Sequence, residues 1–215
     1  MTLLSLVDLD RELLVFLNSI HNHFFDTVMW LLSAKEIWIP LYLIIIYYFF
    51  NKVEKKTAIW VLLACVVCIV LCDQISSSIF KPLFERWRPS RDPILGDIVH
   101  IVHGKRGGKF GFVSSHAANV FGLTVFASML FKKKWFTISM LFWAVAVSYS
   151  RIYLAVHFPG DVICGGILGA LCGLLMYKIC NRFLNIDVYK KTNLSYYYIV
   201  YAVIFISILA CAKVM

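Results

Sequence analysis

Three short segments of this chain carry residues that handle phosphate: Lys81 with Arg88 and Pro89, then Val113-Ser114-Ser115-His116, then Ser150 and Arg151 followed by His157 and Asp161. Each lies where a strongly apolar run begins or ends. A histidine nucleophile divides phosphoester hydrolysis into formation of a phosphohistidine and its attack by water, while a second histidine protonates the departing oxygen. The charge on the equatorial oxygens must be met by fixed cations and N–H groups, a demand that Lys81, Arg88 and Arg151 fit.

The local sequence around each histidine suits those tasks. Ser is a good helix N-cap and Ala follows His116, so the segment from Gly111 to Asn119 reads as a loop entering a helix. The amides and positive dipole of such a helix start attract phosphate oxygens, and Ser114 and Ser115 add hydroxyl donors. Pro159 suits the first turn of a second helix. His157 and Asp161 stand four residues apart, about one turn. The carboxylate then accepts a hydrogen bond from one imidazole nitrogen and leaves the other deprotonated towards phosphorus. Taken singly, a histidine near a helix end is more often structural, and a boundary Lys or Arg usually snorkels to headgroups.

The elements that position these residues are membrane elements. The 215-residue chain is 61% hydrophobic and only 15% charged, far more apolar than a soluble domain of its length requires. A spanning helix needs about 20 mostly apolar residues. Spans are predicted at 37–50, 57–80, 116–131, 135–150, 157–180 and 196–212, the first and fourth being short. The expected fold is therefore all-α: a polytopic membrane bundle of about six transmembrane helices, forming a single domain over residues 1–215.

Ahead of the spans, charges on one side and aliphatics on the other around Arg11 to Leu17 predict an interfacial amphipathic helix. Acidic residues and the lack of a basic leading region argue against a cleaved signal peptide. Lys52, Lys55 and Lys56 form one basic loop, Lys132 to Lys134 a second, and Lys178, Arg182, Lys190 and Lys191 a third. With six spans these fall on one side, assigned to the cytoplasm. The three chemical segments then face outward from the plasma (inner) membrane. The long connection from Lys81 to Val113 is functional by default. Its own basic residues, Arg91, Lys105, Arg106 and Lys109, run against the charge rule, and phosphate binding would explain them.

Other features are weighed against this reading. The net charge of +9 sits mostly in those loops and segments, which favours lipid headgroups over nucleic acid as the anionic partner. All seven cysteines fall in apolar runs; Cys65 and Cys68 have C-x-x-C spacing without a second pair, so the set reads as small packing residues. His100 and His103 have only Asp97 nearby to complete a metal shell, which favours a headgroup contact or plain surface loop. Gly165, Gly169 and Gly173 recur every four residues, predicting close helix approach inside the chain or a homodimer face. Asp73 and Gln74 are expected to face the bundle rather than lipid.

Taken together, the motifs resemble the type 2 phosphatidic acid phosphatase family of membrane lipid phosphatases. Its pattern is a Lys, six residues and Arg-Pro; Pro-Ser-Gly-His; and Ser-Arg, five residues, His, three residues and Asp. Lys81 to Pro89, Val113 to His116 and Ser150 to Asp161 supply it, with Val113 for the usual proline and Ser115 for the usual glycine. The Ser115 side chain either crowds the pocket or adds a donor. The resemblance implies His157 as nucleophile, His116 as general acid, Asp161 as orienter of His157, and Lys81, Arg88, Ser114, Ser115 and Arg151 as phosphate ligands. It also implies that no metal or other cofactor is required. Undecaprenyl diphosphate is the leading expected substrate because the chain is compact and its loop basic. Lipid A, phosphatidylglycerol phosphate and phosphatidic acid are the alternatives within this class, and a non-catalytic lipid-phosphate binder or transporter is the alternative outside it.

Overall fold

The computed structural model describes residues 3–51, 53–184, 186, 189 and 191–214; Lys52 and Lys190, named above in basic loops, lie outside them. The described residues form helices α1 (Leu3–Ser19), α2 (His23–Ser33), α3 (Ile39–Phe50), α4 (Lys55–Phe84), α5 (Ser115–Phe131), α6 (Lys134–Tyr153), α7 (Pro159–Phe183) and α8 (Ser195–Val214). Of these, α4, α6, α7 and α8 are long and apolar enough to cross a membrane. The 17-residue α5 is shorter and lies centrally, packed on α4, α6 and α7.

The first predicted span looked short because half of it was missing from the prediction. α2 and α3 pass together as one apolar unit bent by 64°. The break falls at Ala34, whose extended backbone leads into a 3-10 turn over Lys35–Trp38. Interrupting a helix leaves carbonyls without intrahelical partners. Here the Trp38 indole donates to the Leu32 carbonyl at 3.0 Å, inside the bundle.

α4 departs from regularity near its outer end. Its α-helical part, Lys55–Gln74, passes into a π turn over Ile75–Phe80 before the last turn, Lys81–Phe84. A π turn shifts the side-chain phase. The shift accompanies a hydroxyl-rich stretch, Ser76 and Ser77, held against the start of α5. Asp73 lines the central cavity, as a bundle-facing residue should. Gln74 instead lies exposed, accepting from Ser78 at 3.0 Å.

The glycine stripe is used within the chain. A methyl group at Gly165, Gly169 or Gly173 of α7 would strike the carbonyl oxygens of Ser114, Ala118 or Gly122 respectively, the first the N-cap of α5 and the others within it. The stripe is buried, so it offers no face to a second copy. In lipid, helices associate through packing and interhelical hydrogen bonds. Thr124 donates to the Met140 carbonyl at 3.2 Å, and Tyr201 to the Ser139 carbonyl at 2.8 Å. Among the cysteines, Cys65, Cys68, Cys72, Cys172 and Cys180 are buried packing residues, Cys164 is half-buried and Cys211 is exposed.

At the end of the bundle away from the catalytic segments, Tyr189 donates to the Phe49 carbonyl at 2.6 Å. At the other end, the 85–114 connection folds over the helix ends. α1 lies there with Leu14 and Asn18 buried and Leu9, Leu13 and Phe16 facing outward. Asn18 bonds the backbone of His100 in both directions and the Tyr153 carbonyl, pinning α1 to the loops.

Gly169→Ala is expected to destabilise the fold, since its methyl would overlap the Ala118 carbonyl and overpacking of a tight contact costs about 1–3 kcal/mol. Thermal unfolding in detergent should show a clear drop for this variant and almost none for Cys211→Ala on the outer face.

Candidate active site

A cavity of about 410 Å³ opens among α2, α3, α4, α5 and α6. Lys81, Arg88, Ser115, His116, Arg151 and His157 all line it, although their sequence numbers span 77 positions from 81 to 157. Ser114 and Asp161 do not line it. Ser114 is fully buried, donates its N–H to the Asp161 carbonyl at 2.9 Å and accepts from the Ala117 amide as the N-cap of α5. Its expected place as a phosphate ligand is thus taken by a helix-capping one.

Ser115 resolves the question of crowding or donation. Its hydroxyl accepts from Lys81 Nζ at 2.7 Å and from Ser76 at 2.8 Å, with Ser77 at 3.2 Å. Lys81 also donates to Ser77 at 3.2 Å. The serine therefore holds a cation at the mouth of α5, where first-turn amides lack intrahelical partners and the helix dipole is positive.

Arg88 leaves α4 through an extended stretch and is anchored by backbone oxygens. Its Nε donates to the Phe110 carbonyl at 3.1 Å and its Nη1 to the Val156 carbonyl at 3.2 Å. The same Nη1 lies 3.2 Å from His157 Nε2. Because a guanidinium can only donate, Nε2 is the accepting nitrogen and the ring proton belongs on Nδ1. Arg151, at the end of α6, is buried and donates to Ser33 next to the break between α2 and α3; its Nε has no hydrogen-bond partner among the described residues.

His157 sits in a turn whose N–H groups at Val156 and His157 both return to the Arg151 carbonyl. Burial first, and then the charges of Arg88, Arg151 and Lys81, hold its imidazole well below the ordinary value of 6.5. The free lone pair on Nε2 thus persists at neutral pH. Nδ1 stands 3.5 Å from Asp161 Oδ2, an ion-pair distance without hydrogen-bond geometry. Such contacts commonly tighten when substrate binds. Gly111 leaves room for the pair, since a methyl there would lie 3.0 Å from Asp161 Oδ2.

Asp161 is itself tightly held. Oδ2 accepts the Phe158 amide at 2.9 Å, capping α7, and Oδ1 accepts Arg86 Nη1 at 2.9 Å. Sequence reasoning missed Arg86; a second arginine two positions before Arg88 was the available signal. The other basic residues of the long loop are engaged with the loop itself or with the neighbouring α2. Arg91 and Arg106 bond the Gly107 and Ser90 carbonyls, and Lys105 and Lys109 lie over Trp30 and Trp87. His100 pairs with Asp26 at 2.9 Å, and His103 packs on Trp30.

The arrangement places an accepting imidazole nitrogen, a second imidazole open to the cavity and three cations around one space. Such a set has the groups needed to transfer a phosphoryl group to nitrogen and then to water. A transmembrane helical bundle with this site defines a membrane phosphatase.

The PAP2 superfamily model matches residues 58–184, more than half of the chain, and the chain belongs to that family. It is 43% identical over 179 residues to the lipid A 4'-phosphatase of Bacteroides thetaiotaomicron, covering 82% of this chain and 79% of that one. The lipid A 4'-phosphatase of Porphyromonas gingivalis is 37% identical over 174 residues, 81% of this chain and 74% of that one. The undecaprenyl-diphosphatase of Sulfolobus acidocaldarius is more distant, 29% identical over 147 residues, 68% of this chain and 65% of that one. The fold matches the crystal structure of a transmembrane PAP2-type phosphatidylglycerolphosphate phosphatase from Bacillus subtilis with a TM-score of 0.63 at 24% identity, over 83% of this chain and 88% of that one. The protein is an integral membrane hydrolase acting on lipid phosphate.

Two outcomes test the geometry. Ser115→Ala should free Lys81 and raise KM about 3- to 10-fold with a smaller change in kcat, because one charge-assisted hydrogen bond is lost. The His157 shift also has a stability sign. The folded imidazole stays neutral below 6.5 while the unfolded one takes a proton, so this contribution is intact above about 6.5 and is lost as pH falls. Melting curves should show less loss between pH 7 and pH 5 for His157→Gln than for wild type, by up to about 1.4 kcal/mol per pH unit.

Proposed function

We propose that the protein removes a phosphate from lipid A, as its 43%-identical relative is named for doing, through a phosphohistidine at His157. That similarity carries the substrate choice and displaces undecaprenyl diphosphate from first place. The argument from a basic loop falls away too, since the loop's cations are engaged with its own backbone, with Trp87 and with Trp30 of α2. The whole chain, 1–215, acts as one lipid phosphatase domain.

In the first step His157 Nε2 attacks phosphorus, forming the N–P bond as the bond to the sugar oxygen breaks. His116 delivers its proton to that oxygen. Lys81, Arg88 and Arg151, with the first-turn amides of α5, carry the charge on the three equatorial oxygens. Asp161 faces the Nδ1–H and offsets the positive charge that the ring acquires. In the second step His116 takes a proton from water, whose oxygen attacks phosphorus and breaks the N–P bond, releasing inorganic phosphate. Every group named in these steps is a side chain or a backbone amide of the chain, so phosphate release is expected to persist in EDTA.

The basic residues Lys55, Lys132 and Lys178 at the opposite end of the bundle support an orientation with that end at the cytoplasm and the cavity on the extracytoplasmic side of the plasma membrane. That side suits a lipid of the cell envelope.

Detergent-purified wild type with EDTA present is expected to release phosphate from bisphosphorylated lipid A faster than from undecaprenyl diphosphate or phosphatidylglycerol phosphate. His157→Ala should lower release at least about 10³-fold, as loss of a nucleophile does in other covalent catalysts. Faster release from the polyprenol would overturn the substrate choice. Silence of wild type on every lipid would instead favour a non-catalytic binder or transporter.

A further inference from the structure

The N-terminal helix reaches into the catalytic apparatus through a single carboxylate. Asp10 of α1 lies 2.7 Å from Arg86 Nη2, while Arg86 Nη1 lies 2.9 Å from Asp161. One guanidinium thus joins a carboxylate of α1 to the carboxylate behind His157. The second oxygen of Asp10 accepts the Gly160 amide at 2.7 Å, in the first turn of α7 and one residue before Asp161. Both Asp10 oxygens are therefore committed within two bonds of the same catalytic carboxylate.

The surroundings are built for this contact. A methyl group at Gly160 would stand 2.8 Å from Asp10 Oδ2, so a larger residue there would displace the carboxylate from its present position. Arg86 lies over the Phe158 ring at 4.0 Å, which fixes the plane of its fork between the two acids. Asp10, Leu14 and Asn18 share one face of α1, and the latter two are buried, so the helix is held in register along its inner side. The Asp10 and Arg86 side chains are only 15% and 23% exposed, which strengthens their interaction over that of a surface pair.

We propose that Asp10 is a positioning residue for catalysis: through Arg86 and the Gly160 amide it holds Asp161 at His157 and keeps the side of the site behind His157 one negative charge richer than it would be without Asp10. Asp161 spends one oxygen on Arg86 and the other on the Phe158 amide, both of which draw charge away from the imidazole. Asp10 returns that charge by sharing the guanidinium. When His157 becomes a cationic phosphohistidine, the Asp10–Arg86–Asp161 chain carries a net charge of −1 behind it instead of zero. α1 is thereby a part of the active site as well as a surface element.

This inference rests on the phosphohistidine reading, and one set of assays separates the two. Phosphate release from bisphosphorylated lipid A, undecaprenyl diphosphate and phosphatidylglycerol phosphate is compared for wild type, Asp10→Asn, Asp10→Glu, Asp161→Asn and Asp10→Asn/Asp161→Asn. Competitive inhibition by inorganic phosphate is measured alongside. On whichever lipid wild type turns over, Asp10→Asn should lose about 10-fold or more in kcat, with KM and the phosphate inhibition constant within twofold. Asp10→Glu should recover most of the loss. In the Asp161→Asn background, Asp10→Asn should cost less than twofold, because its route to His157 is already cut. A full, additive loss in that background would overturn the proposal and leave Asp10 a fold-holding residue. So would loss of phosphate inhibition in Asp10→Asn, or wild-type kcat in that variant. Wild type inactive on all three lipids would refute the functional reading and this proposal with it, whereas active wild type with an unimpaired Asp10→Asn would refute the proposal alone.

Discussion

The distance between the backbones of α5 and α7 governs the site. Both helices begin at the cavity, one with Ser114-Ser115-His116 and the other just after His157, and both must start at the same height for their residues to meet. Gly165, Gly169 and Gly173 set that height, because each lies where any side chain would run into a carbonyl of α5. The Ser114 N–H to Asp161 carbonyl bond closes the contact at the top. With no large difference in polarity between helix surface and lipid tails to hold the pair together, shape and backbone contact bear that load.

The electrostatics of the site depend on the same approach. A neutral imidazole among Lys81, Arg88 and Arg151 is sustained by burial, and burial follows from the helices closing around it. Carboxylates are kept off the cavity side, apart from Asp73, and gathered behind His157 as Asp161 and Asp10. The cavity thus presents donors to a phosphate and hides its acceptors one layer back. Lys81 meets a hydroxyl, Ser115, where a carboxylate would have cancelled its charge.

Much of this was legible in the chain because its chemistry is local. Lys81, Arg88, His116, Arg151, His157 and Asp161 stand out by type at the ends of apolar runs, and the Ser114 cap and Pro159 start follow from ordinary helix-terminus rules. The unreadable parts are those in which hydropathy and geometry part company. His23–Ser33 carries Asp26 and two polar residues in its first turns, which hid the upper half of a broken span. The π turn over Ile75–Phe80 has no composition of its own. Sequence gives the Ser114 hydroxyl but not its direction, and Gln74 was placed inward beside Asp73 although neighbours on a helix point about 100° apart. Asp10 and Arg86 escaped notice since their partners are 76 and 75 positions away. The loop lysines and arginines misled for a related reason: charge is visible in a sequence, whereas a carbonyl or ring waiting for it is not.

The bend at Ala34 has an evolutionary side. Leu32, Ser33, Lys35, Trp38 and Tyr42 flank it and also line the cavity, so one wall of the reaction chamber is made from an interrupted membrane helix. Adding or removing one residue in a helix rotates everything beyond it by about 100°. A single insertion or deletion around this break would re-face the wall while leaving every catalytic loop untouched. A change in chain length there would alter the side chains that the wall offers to the cavity, a path that substitutions in the motif segments do not offer.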